Sequence, residues 1–203
     1  GAMVSEADSP GEYLKAAFGV PLYRLPLPVG IEHTDQLMET LTILSGRDMP
    51  EKLEKERARF LDAMIDSHKY SAEGHLSVFC HPESVYAITA LGLENGFKMC
   101  VAGSGPASEK LIPALKALET EYGTVFIKLE DTDFETIAGH VTDTGPDLLL
   151  GPSDGAFMMK KYGIPLIRSG FPVHDRIGAQ RKIMIGYFGS MQLLDEMTNT
   201  VLA

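Results

Sequence analysis

The sequence predicts an α/β protein: a Rossmann-like parallel sheet of about five strands with helices on both faces, plus N-terminal helices and a C-terminal helix. Three observations predict it. Short apolar runs recur at Leu76–Cys80, Met99–Ala102, Val125–Leu129, Leu148–Leu150 and Pro165–Ile167. Each of the first four is followed by a helix signal. The runs are continuously apolar rather than alternating, which is the pattern of strands buried on both faces of a parallel sheet. Right-handed crossovers then make a doubly wound domain over about residues 72–170.

Each element has its own signal. Residues 1–12 are small and polar, bear Pro10 and Gly11, and read as a frayed terminus. Gly1-Ala2-Met3 reads as the scar of a cleaved expression tag and not as a secretory leader. Val20 to Gly30 carries Pro21, Pro26 and Pro28 and suits an extended connector. Leu37, Leu41 and Leu44 space as a helix that Thr34 caps and Gly46 ends. Asp48-Met49-Pro50-Glu51 starts the next helix. That helix puts Leu53, Phe60, Leu61, Met64 and His68 on one side, and Lys52, Glu54, Lys55, Arg59 and Asp62 on the other. His68, on the apolar side, is expected to be a hydrogen-bonded core histidine.

Within the sheet region, Pro82 sits just inside a helix that Gly96 ends. Leu111, Leu115, Leu118 and Tyr122 line another, closed by Gly123. Pro113 implies that this helix starts late or kinks. Thr132-Asp133-Phe134-Glu135 reads as a capping box, and Ser153 as the cap of a helix that finishes with Lys160-Lys161 and Gly163. Tyr187, Met191, Leu194, Met197 and Val201 space as one more amphipathic helix, expected to pack back on the earlier ones. The chain thus divides into residues 1–32, a tag scar and the tail of a preceding domain; 33–71, a helical connector; and 72–203, a Rossmann-like C-terminal domain with its terminal helix.

The charge balance excludes some functions. The chain of 203 residues carries 28 acidic and 18 basic side chains, a formal −10. Only the stretch from Arg176 to Arg181-Lys182 is locally basic, so general nucleic-acid binding, which needs a basic face, is not expected. No apolar run approaches the ~18 residues of a membrane span. Two cysteines, Cys80 and Cys100, are too few for a disulfide framework; buried thiols and a cytoplasmic location are expected.

Parallel sheets bind ligands at the carboxyl ends of their strands. Those ends carry Cys80-His81, Gly103-Ser104-Gly105, Glu130-Asp131, Pro152-Ser153-Asp154 and Ser169-Gly170. They could form a small-ligand crevice, although ordinary helix capping also accounts for Ser and Asp there. The run Gly103-Ser104-Gly105-Pro106-Ala107-Ser108 lacks the third glycine of a dinucleotide fingerprint and follows the second strand. No CxxC, HExxH or GxSxG spacing is present, so neither a structural metal nor a catalytic nucleophile is expected in this chain. The most distinctive stretch follows the fifth strand. Arg168, His174, Asp175 and Arg176 lie in a loop rich in Gly and Pro. Two guanidiniums and an imidazole could hold an anionic ligand or an acidic partner, or an Arg–Asp pair could simply fix the loop.

The run Gly163-Ile164-Pro165-Leu166-Ile167-Arg168, then Gly170-Phe171-Pro172, then Asp175-Arg176, resembles the β-type subunits of nitrogenase component 1 and their assembly paralogues. The ending Asp175-Arg176-Ile177-Gly178-Ala179-Gln180 is most similar to the NifN-type scaffold subunit; the catalytic β subunit tends to be histidine-rich there. Gly186-Tyr187 with Gly189 fits both. Upstream, Leu44-Ser45-Gly46-Arg47 with Pro50, Glu54, Arg57, Arg59, Asp62-Ala63-Met64 and Asp66-Ser67-His68-Lys69-Tyr70 resembles the family's long central helix. Gly151-Pro152-Ser153-Asp154-Gly155 is similar to its Gly-Asn-Ser-x-Gly turn, with Pro152 departing from Asn. His174 stands where many relatives carry an aromatic or aliphatic residue.

The resemblance implies the C-terminal part of a longer subunit. It implies a NifE-like α-type partner, electrons from the reductase iron protein, and an iron–sulfur cluster with an iron–molybdenum cofactor precursor in the parent complex. The family's cluster cysteines belong to its N-terminal domain, and neither Cys80 nor Cys100 matches them. Arg168, His174 and Arg176 are then the expected cluster-proximal or interfacial residues. Two other readings stand beside this one: a fragment of the catalytic nitrogenase β subunit, and a free-standing α/β module for a small ligand such as a tetrapyrrole or metal chelate.

Overall fold

Five apolar runs become five parallel strands. The computed structural model describes residues 1–3 and 9–203. Three helices lead: α1 (Pro10–Phe18), α2 (Ile31–Ser45) and α3 (Glu51–Ser71). Strands and helices then alternate as β1 (His75–Cys80), α4 (Pro82–Glu94), β2 (Lys98–Ser104), α5 (Leu111–Tyr122), β3 (Ile127–Leu129), α6 (Phe134–Thr144), β4 (Leu148–Gly151), α7 (Ala156–Tyr162) and β5 (Leu166–Arg168). Helix α8 (Gly186–Leu202) ends the chain. The strand order is β3-β2-β1-β4-β5, with every neighbouring pair parallel.

The two-residue period of a strand divides the core in two. Leu148 and Leu150 of β4 join Leu76 and Val78 of β1 on one face, with Phe60, Leu91, Leu115, Leu193 and Leu194 from the helices. Leu149 points the other way and meets Phe79, Val101, Ile137, Val141 and Met158. This is why the strands read as nearly unbroken apolar runs: consecutive residues fill opposite cores. Helix α8 packs on α3, as its apolar spacing requires. Where α2 joins these two helices, the hydroxyl of buried Tyr187 donates to the partly exposed Asp35 at 2.6 Å. Arg57 grips the same carboxylate through Nε and Nη2, both at 2.8 Å.

Several local expectations are corrected. Residues 1–12 are not frayed throughout: Met3 is buried, its N–H donates to Glu83, and its carbonyl accepts from Ser108. Helix α1 already begins at Pro10, capped by Ser9. Residues 4–8, part of the same expectation, lie outside the described residues. Thr34 is not a cap. It lies inside α2 and donates back to the Gly30 carbonyl at 2.7 Å. The capping is done at long range by Glu94, whose carboxylate accepts from the N–H groups of Ile31 (3.1 Å) and Glu32 (3.0 Å). Gly30 has φ 89°, and a Cβ there would meet Glu94 Oε2 at 2.4 Å. Leu41 and Leu44 of α2 are largely exposed.

His68 is exposed, not a core residue. It lies at the end of α3, where solvent reaches its ring, and the buried contacts of that turn come from Ser67 and Ser71. Pro113 causes neither delay nor break: α5 begins at Leu111, so the proline occupies the first turn, where no intrahelical donor is needed. The cap of α6 is Asp133, whose side chain accepts from Thr136 N–H at 2.7 Å, one position later than a Thr132 box would have it.

Candidate functional site

Helices leave β1 toward β2 on one side and β4 toward β5 on the other, so the strand order reverses between β1 and β4. Such a switch point opens a crevice at the carboxyl ends. Here it is a space of 220 Å³ walled by Phe79, His81, Phe134, Pro152 and Phe171, among others. Phe79 and Phe134 meet edge to face, centroids 5.4 Å apart. Cys80 sits at its floor. Its thiol donates to the Ser169 carbonyl at 3.5 Å, and burial pushes its pKa up to about 12. Gly103-Ser104-Gly105 does not open onto a helix N-terminus, because α5 begins only at Leu111. Ser104 instead turns inward and donates to the Pro106 carbonyl at 2.9 Å.

The loop after β5 is built around one carboxylate. Asp175 accepts from Arg168 Nη2 at 2.6 Å and from the Ser153 hydroxyl at 2.6 Å. Arg168 and Ser153 together hold the Asp175 carboxyl well below the usual carboxylate range. Ser153 in turn accepts from the N–H groups of His174 (2.9 Å) and Asp175 (3.3 Å). The residue expected to cap a helix therefore pins the loop: Ser153 opens a single 3-10 turn ahead of α7, and its hydroxyl faces the loop instead. The Arg168 side chain is only 7% exposed. Its Nη1 also returns to the Leu166 carbonyl at 2.9 Å.

The other two expected residues are placed differently. Arg176 leans on Asp175 at 3.5 Å but stays 52% exposed. His174 is exposed beside it. Phe171 (87% exposed) and Ile177 (99% exposed) project from the same loop. The structure thus brings Arg168, Asp175 and Ser153 together inside, and sets His174 and Arg176 outside among bare apolar side chains.

The sequence profile of nitrogenase component 1 type oxidoreductases matches residues 2–202. The chain belongs to that family. It is 30% identical over 201 residues to the nitrogenase molybdenum-iron protein beta chain of Methanococcus maripaludis, covering 98% of this chain and 44% of that one. It is 33% identical to the nitrogenase iron-iron protein beta chain of Rhodobacter capsulatus, covering 95% and 42%. It is 31% identical to the iron-molybdenum cofactor biosynthesis protein NifN of Sinorhizobium fredii, covering 96% and 39%. The solved structure of nitrogenase Cp1 at pH 6.5 superposes with TM-score 0.89 at 28% identity, over 93% of this chain and 42% of that one. The chain spans less than half the length of the relatives it matches.

These relatives are named for iron, with or without molybdenum, so the donor set of this chain matters. It does not fit an iron–sulfur cluster, which takes thiolates. Cys80 is buried, and its thiol is turned to the Ser169 carbonyl. Burial, with Asp147 nearby, also pushes the half-buried Cys100 thiol up. Cys80 pairs in register with Ser104, four residues beyond Cys100, so the two thiols are separated by about 13 Å of strand. Among the described residues no three His, Cys, Asp or Glu side chains are grouped to hold a metal ion, and no helix is long and apolar enough to cross a membrane. Ser153 is the site residue that sequence reasoning assigned wrongly. Its signal was the resemblance of the Gly151–Gly155 turn to a family motif, which marks the turn but not the direction of its hydroxyl.

Proposed function

We propose that this chain is part of a NifN-like subunit that serves as scaffold for assembly of the iron–molybdenum cofactor in nitrogen fixation. The observation that carries the reading is the loop: an Arg168–Asp175–Ser153 lock that holds Arg176 and His174 outward, ending in the Gly178-Ala179-Gln180 run that resembles the scaffold subunit. A scaffold needs a shaped, cationic surface for an anionic cluster or its carrier, and needs no nucleophile. Arg176 and His174 would be cluster-proximal or interfacial, with Arg168 acting through Asp175 to position them. The partners would be a NifE-like α-type subunit and the reductase iron protein, in the cytoplasm. Iron–sulfur cluster and cofactor precursor would be held by other residues of the parent complex.

The second reading, a catalytic β subunit, is favoured by the similarity to the molybdenum-iron and iron-iron beta chains, which is as great as that to NifN. One experiment separates them. The full-length protein is co-expressed with a NifE-like partner and purified without oxygen; iron, sulfide and molybdenum are measured, and acetylene reduction is assayed with the reductase iron protein. A heteromer that carries iron and transfers cofactor to an apo-nitrogenase, with little turnover of its own, supports the scaffold. Robust acetylene reduction assigns the catalytic role instead. A colourless chain without a partner refutes both.

A further inference from the structure

The crevice at the switch point has a dry floor and a polar mouth. Phe79 is 3% exposed, and its ring lies against Gly151 and Gly155, where a Cβ on either glycine would meet it at 2.4 Å. The ring is therefore fixed in place as part of the floor. Phe134 stands edge to face against it, and Ile137 and Pro152 close the sides. The Cys80 thiol is already engaged with the Ser169 carbonyl, so the floor presents no free side-chain donor. Phe171, largely exposed, stands at the rim with Pro172. Ser153 N–H donates to the Pro172 carbonyl at 3.0 Å, which ties this part of the rim to the turn after β4. His81 and Asp154 line the mouth. Both are exposed, and among the described residues neither side chain has a hydrogen-bonding or ionic partner.

We propose that this crevice binds a small, uncharged, planar aromatic molecule, whose ring lies among Phe79, Phe134 and Phe171 and whose N–H or O–H points outward to Asp154. Size sets the first limit. A space of 220 Å³ is smaller than the ~300–1,000 Å³ of pockets for drug-sized ligands, and takes one ring or two fused rings. The walls set the second. Three phenylalanines and three prolines offer flat apolar faces, which favour a flat π surface over a saturated body of the same size. Charge sets the third. Among the described residues no lysine or arginine lines the crevice, so it does not suit a phosphate or another anion. The Asp154 carboxylate only accepts, so the outer end of the ligand has to donate. The position is the one where open parallel sheets hold their ligands. The inference does not rest on the cofactor-assembly reading, which uses the outer residues of the loop and not this crevice.

The test is titration of four probes onto the 203-residue chain, followed by NMR. Indole and benzofuran share a shape and differ in the N–H; phenol and cyclohexanol share a hydroxyl and differ in planarity. Indole is expected to bind at least about threefold tighter than benzofuran, and phenol at least about threefold tighter than cyclohexanol. Amide shifts at Phe79, His81 and Phe171 should locate the site. Asp154→Ala should abolish the difference between indole and benzofuran. Phe171→Ala, at an exposed rim position that leaves the fold intact, should weaken both by at least about threefold, and Phe134→Ala should weaken them further. Circular dichroism establishes that each variant folds. No binding of indole at millimolar concentration overturns the proposal. So does cyclohexanol binding as tightly as phenol, benzofuran binding as tightly as indole, or affinity unchanged in Phe171→Ala, which places the probe elsewhere.

Discussion

Arg168 and Asp175 are seven residues apart in sequence and 2.6 Å apart in space, and the pair turns a glycine- and proline-rich loop into a fixed surface. The guanidinium is almost wholly covered while the carboxylate keeps a quarter of its exposure. Arg168→Ala leaves Asp175 with the Ser153 hydroxyl and the exposed Arg176, and releases the loop without touching the sheet core. Limited proteolysis between residues 171 and 183 should accelerate by about tenfold, with thermal unfolding of the rest little changed. An unaltered cleavage rate refutes the lock. Because the Asp175 pKa is depressed, the tether is present at all pH above the ordinary carboxylate range and weakens only as pH falls well below it.

Tyr187 is buried at the junction of α8 with the leading helices, and its hydroxyl reaches Asp35. Tyr187→Phe keeps the ring and removes that donor. The carboxylate retains Arg57, so the expected loss is about 1 kcal/mol. Urea unfolding measures it; a change indistinguishable from zero means that solvent replaces the hydroxyl.

Glu94 and Gly30 make one joint between α4 and α2. Gly30→Ala puts a Cβ against Glu94 Oε2 at a backbone φ of 89°, so both contact and conformation are strained. A loss of at least about 1–2 kcal/mol is expected, and Glu94→Ala, which uncaps α2, should cost about 1 kcal/mol. The double variant should lose less than the sum, since removing Glu94 also removes the clash; strict additivity contradicts the joint.

His33 stacks on Tyr86 with ring centroids 5.2 Å apart and is 4% exposed. Burial holds its pKa below the ordinary 6.5, against the pull of nearby carbonyls and Glu121. The unfolded chain therefore takes up a proton near pH 6.5 that the folded chain refuses. Stability from neutral His33 is complete above that pH and is lost as pH falls below it. His33→Phe should flatten the stability slope between about pH 7.5 and about pH 5.5. Unfolding free energies across that range check it, and a slope equal to that of the unmodified chain rules His33 out as its source.

The five strands were legible because consecutive residues such as Leu148, Leu149 and Leu150 feed two cores, so that only Ser77 and Lys128 interrupt the apolar runs. Helix ends marked by glycine at 46, 123 and 163 were equally legible, since the signal is local. What sequence reasoning missed is nonlocal. Glu94 caps a helix 63 residues away, and no pattern near Thr34 announces it. Ser153 has the residue type and the place of a cap, yet serves a loop 22 positions on. His68 fits the apolar period of α3, but in that last turn the buried side is taken by Ser67 and Ser71. The candidate loop was found as a unit. Its division into an inner lock and an outer surface required the geometry, because Arg168 and Arg176 are chemically identical and only burial separates them.

The strand order has a consequence for how the chain is made. Strands β1, β2 and β3 pair in sequence order with α4 and α5 between them, so this half of the sheet assembles from near neighbours as it leaves the ribosome. The β1–β4 ladder joins Leu76 to Leu148 and must wait for the later segment to arrive and close a loop of that length. Until then one edge of the central strand lies bare. The seam where the late half docks is the same place where the switch-point crevice opens. Translation rate and chaperone cover are thus expected to matter most at the moment when β4 emerges, and substitutions in β4 should cost yield in the cell before they cost stability in the tube.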